Sequence, residues 1–67
     1  MDEEREEEVV KRALHVFSIS GDIKGDLVSD RWYKRIVCVF VSSTGCTLEY
    51  GYKRVAEILT KLGYHVV

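Results

Sequence analysis

Ile36-Val37-Cys38-Val39-Phe40-Val41, running into Ser42-Ser43-Thr44-Gly45-Cys46-Thr47, is the stretch on which the fold turns. Six consecutive apolar residues predict a strand buried on both faces, because a run without polar interruption leaves no side for water. Arg31-Trp32-Tyr33-Lys34-Arg35 extends that strand upstream, where it emerges from the core. The small and hydroxyl residues that follow predict a short loop opening a helix over about 47–62. Leu48, Tyr52, Val55, Leu59 and Leu62 form its apolar stripe, flanked by Ala56 and Ile58, and Glu49–Lys53 and Glu57–Lys61 decorate the far face. Gly63 suits the left-handed cap, and Tyr64-His65-Val66-Val67 reads as a closing strand. Strand, helix and strand then form a right-handed parallel unit.

Upstream, Val9, Val10, Ala13, Leu14 and Phe17 recur at helical spacing and predict a first helix over 3–15. Its acidic start complements the helix dipole. Val16-Phe17-Ser18-Ile19-Ser20 alternates as a half-buried strand does. Residues 21–30 supply turn chemistry, as a wide hairpin loop or a bulged strand through Ile23, Leu27 and Val28. The expected fold over 1–67 is a single α/β (α+β) domain of order α-β-β-α-β. It is a two-layer structure, a three-stranded mixed sheet with two helices packed on one face. Such a sheet leaves an edge open, so a homodimer through that edge is the expected partner.

Sixty-seven residues bury only about 60% of the unfolded surface, so a partner or an efficient core is needed. Apolar residues at 46% and charged residues at 31% exclude disorder as the main state. No apolar run reaches a membrane span, and the acidic start fits neither a secretory signal nor a presequence. A cytoplasmic location with free thiols is expected. Asn, Gln and Pro are absent. Thermophilic and computationally designed sequences both avoid the amides, the lack of Pro counts against the thermophilic origin, and both origins imply a thermostable domain. Residues 1–8 hold six acids against Arg5, whereas residues 9–67 hold nine bases against five acids. Cys38 and Cys46 lack a metal-ligand spacing, and His15 and His65 lie far apart, so no metal is expected.

Two segments carry chemistry. Ser42 to Thr47 lies where a buried strand hands over to a helix, and there loop amides and the helix N-terminus face an incoming anion. The same hydroxyls serve equally as helix caps. Cys46 at that helix start has the setting of a lowered thiol pKa, though no base is adjacent in sequence. Arg31, Trp32, Lys34 and Arg35 interleave cations with an aromatic ring, a pattern suited to nucleic acid. The negative net charge and the acidic helix weigh against it, and the same residues serve as an edge-blunting strand end.

Phe40-Val41-Ser42-Ser43-Thr44-Gly45-Cys46-Thr47 resembles the FMN phosphate loop of flavodoxins, in which an aromatic residue precedes hydroxyls and a glycine. The likeness extends through Val55 to Tyr64 and covers less than half of the chain. It implies phosphate-binding hydroxyls at Ser42, Thr44 and Thr47, with Gly45 allowing backbone approach. The chain is too short for the five-stranded flavodoxin sheet, so no resident cofactor is expected. Three functions follow from the sequence. The first is a non-enzymatic scaffold or self-associating module, the second a binder of a phosphate-bearing ligand at 42–47, and the third a nucleic-acid binder at 31–35.

Overall fold

The computed structural model describes residues 3–67, and it is mostly helical. The order is α1 Glu3–Ile19, β1 Leu27–Val28, α2 Asp30–Thr44, α3 Leu48–Lys61 and β2 His65–Val66. This overturns the three-stranded mixed sheet and its α-β-β-α-β order. The sheet that forms has two strands, β1 and β2, paired in parallel with Leu27 opposite His65 and Val28 opposite Val66. His65 N–H donates to Asp26 O at 2.8 Å and Val67 N–H to Val28 O at 2.9 Å. A parallel pairing was expected for the closing strand, but its partner is residues 27–28, with both α2 and α3 in the crossover.

The decisive correction lies at 36–41, which is the middle of α2. Ile36, Val37 and Phe40 are fully buried, whereas Cys38 and Val39 face solvent. That spacing is the i, i+1, i+4 of a helix face. Ser29 starts the helix, its Oγ accepting from Trp32 N–H at 3.4 Å, and Asp30 adds an acid to the first turn. Gly45, at φ 72°, ends it in the left-handed region, and its N–H donates to Val41 O. Only glycine enters that region without strain.

The strand expected at 16–20 is likewise absorbed by α1. Phe17 packs against the core one turn beyond Leu14, while Val16 and Ile19 are exposed, so period 3.6 prevails over period 2. Beyond α1, Asp22 and Ile23 N–H both donate to Phe17 O, and Lys24 bridges to Leu27 in a turn rather than a wide hairpin. α3 begins at the Thr47 N-cap, whose hydroxyl accepts from Tyr50 N–H at 3.1 Å. The core gathers Val10, Ala13 and Leu14 of α1, Ile36, Val37 and Phe40 of α2, and Val55, Ile58 and Leu59 of α3, with Ile23 and Val28 from the connection. No helix is long and apolar enough to cross a membrane among the described residues.

Candidate nucleic-acid interface

Once 31–35 is helical, its cations change their relation to one another. Arg31, Lys34 and Arg35 stand at i, i+3 and i+4 and share the outward face of α2, all exposed. Trp32 lies between that face and α1. Its ring packs on Phe17 with centroids 5.0 Å apart. The guanidinium carbons of Arg31 and Arg35 lie 5.7 and 5.5 Å from its centroid. Cation–π attraction thus holds both arginines beside the ring. The half-buried indole positions charge and is not the free stacking platform expected from the sequence. Lys34 Nζ meets Asp30 at 3.2 Å, with both side chains well exposed. That hydrogen bond raises the Lys34 pKa above its ordinary value, so the ammonium stays charged.

The second candidate segment is divided by the same refolding. Ser42 and Thr44 occupy the last turn of α2, the end at which the helix dipole is negative. Thr44 Oγ1 donates to Phe40 O at 2.7 Å and lies 3.2 Å from Cys46 Sγ. Gly45 is the C-cap and Thr47 the N-cap of α3, so both have structural tasks. No strand delivers these residues to a sheet end. Among the described residues no group of three or more His, Cys, Asp or Glu side chains is placed to hold a metal.

A cluster that the sequence reading missed joins α1 to α3. Glu6 is 4% exposed. It accepts from Arg54 Nε at 2.8 Å and from the Tyr50 hydroxyl at 2.9 Å. Arg54 also reaches Glu57 at 3.2 Å, and Lys61 donates to Glu7 at 2.6 Å. The signal was present, since Glu6 falls in phase with the buried stripe Val10, Ala13, Leu14. These bonds occupy the α1 side of α3 and draw two acids of the chain's negative half, Glu6 and Glu7, into internal pairs. The cationic face of α2 is left outward.

No family model matches the chain, and neither a curated protein nor a solved structure matches it.

Proposed function

We propose that this chain is a non-enzymatic nucleic-acid-binding module whose α2 face grips the phosphate backbone. The observation that supports this reading is the single exposed face shared by Arg31, Lys34 and Arg35. Arg31 stands one turn from the adjacent pair Lys34 and Arg35, so the three present their charge to the phosphate backbone together, and neutralising phosphates releases condensed counterions. Trp32 holds two of the cations in place, which lowers the conformational cost of presenting them. The test is fluorescence anisotropy with labelled duplex and single-stranded oligonucleotides over a salt series. Removing Arg31, Lys34 and Arg35 together should weaken binding and flatten the log K against log salt slope by about 2–3 on duplex DNA. Binding that persists unchanged in the triple variant would refute the reading.

Self-association is a second reading, supported by the β1–β2 pair. Parallel strands are ordinarily covered on both faces, yet Leu27 and Val66 are 54% and 42% exposed. A second copy seated there would cover them. Light scattering should then show a dimer in the native chain and a monomer in Leu27→Lys and Val66→Lys; a native monomer at every concentration excludes it.

A further inference from the structure

Two contacts fix how α3 crosses α2. A β-carbon built on Gly51 would lie 2.6 Å from Val41 Cγ2 and 3.5 Å from Val37 Cγ1, so the helices touch closely at that point. Tyr33, at the start of α2, donates its hydroxyl proton to Tyr52 O and packs its ring edge-on against Tyr52. In an antiparallel hairpin folded about residues 45–47, Tyr33 would stand opposite position 59. It meets position 52 instead. The second turn of α3 therefore lies across the body of α2, and the rest of α3 leaves toward α1, where Arg54 and Lys61 take Glu6 and Glu7. The three-residue turn containing Gly45 that joins the two helices is of the length and kind that a helix–turn–helix uses.

We infer, resting on the nucleic-acid reading above, that α3 is a base-reading helix for the major groove of duplex DNA. With Gly51, Val55, Ile58 and Leu59 buried and Tyr50, Arg54 and Lys61 turned to α1, the outward face carries Glu49, Lys53 and Ala56. Glu49 and Lys53 enter none of the ion pairs among the described residues. Each residue matches a group on a base edge. The ammonium suits guanine O6 and N7, the carboxylate accepts from the cytosine amino group, and the alanine methyl meets the thymine methyl. Glu49 and Lys53 stand in the N-terminal half of α3, the part of such a helix that reaches the bases, and Ala56 follows just beyond it. One acid and one base add no net attraction, so affinity comes from α2 and discrimination from α3.

The separation of the two roles gives the test. The native chain is taken through rounds of selection on a duplex DNA pool with a randomised core. The enriched sequence is then compared with its scrambled version by anisotropy. Enrichment of a defined sequence is expected. Glu49→Ala and Lys53→Ala, both exposed and checked for folding by circular dichroism, should each lower the enriched-to-scrambled preference by about 10-fold, the size of one base contact. Duplex binding with normal salt dependence but no enriched sequence would overturn the inference and leave the backbone-binding proposal intact. So would a preference unchanged in both variants, or tighter binding of single strands than of duplex. A native chain that binds no nucleic acid would overturn both.

Discussion

Arg54 Nε donates to Glu6 Oε1 at 2.8 Å, joining residues 48 positions apart in the chain. The Glu6 side chain is 6% exposed and that of Arg54 18%. Burying a carboxylate without a partner is costly, so either residue alone is a liability and the pair is tolerated. Replacing Arg54 with Ala should therefore destabilise by roughly 2–4 kcal/mol, a little below fully buried pairs because Arg54 retains some water. Glu6→Ala should cost less, since its removal leaves a cation that still has Glu57. In a double-mutant cycle followed by chemical denaturation, additive losses would show that the pair is not coupled.

Stability should fall at both ends of the pH scale, for opposite reasons. The Lys61 hydrogen bond holds the Glu7 carboxyl below its ordinary value, with Lys61 and Lys11 charges adding to the effect. Its contribution is present above the ordinary carboxylate range and is lost as the pH falls through it. Tyr50 runs the other way. Its hydrogen bond to Glu6 raises the phenol, then burial raises it further. A raised group contributes fully below its unfolded pKa, about 10 for tyrosine, and loses that contribution as the pH rises. Tyr50→Phe should flatten the alkaline limb of the melting-temperature profile, leaving the parts that burial of Tyr33 and the Lys34–Asp30 hydrogen bond supply. An alkaline limb identical in the native chain and in Tyr50→Phe would contradict this assignment.

Gly51 sits inside a helix, where alanine is ordinarily better by about 1 kcal/mol. Here the added methyl would meet Val41 Cγ2 at 2.6 Å. Val41 is short and β-branched, so it cannot swing aside as a long side chain would. Gly51→Ala should then destabilise by about 1–2 kcal/mol despite the propensity gain. Pairing it with Val41→Ala should recover most of the loss, and thermal melts of the three variants decide the point. A Gly51→Ala chain that melts above the native one would mean that the helices separate at no cost.

Where local signals agreed, the fold was legible. α3 starts and stops within a residue of its expected bounds because Thr47, the stripe through Tyr52, Val55, Leu59 and Leu62, and Gly63 all point the same way, although Leu48 of that stripe is exposed and the flanking Ile58 is buried. At 36–41 they conflicted. Four of the six residues there are β-branched, which favours a strand, and a short apolar run cannot by itself be told from a buried helix turn. The deciding marks lay outside it, at the Ser29-Asp30 cap and at Gly45, fifteen residues apart with a helix between. The pairing of residues 27–28 with 65–66 and the Glu6–Arg54 bond are non-local, and nothing near either partner announces the other. The cations at 31, 34 and 35 were visible as a cluster; their common face exists only because the segment is helical.

Trp32 is the sole tryptophan of the chain, and two members of the proposed interface lie against its ring. Its fluorescence should therefore report directly on what the arginines touch. A phosphate that draws either guanidinium away changes the surroundings of the indole, while Phe17 stays packed against it. Titration with duplex DNA should change the emission in step with anisotropy, and raising the salt should reverse both together. In Arg31→Ala with Arg35→Ala the emission of the free protein should already be displaced, and added DNA should move it little further. If instead anisotropy reports binding while the native emission stays constant, nucleic acid occupies a surface remote from Trp32, and α2 is not the face that holds it.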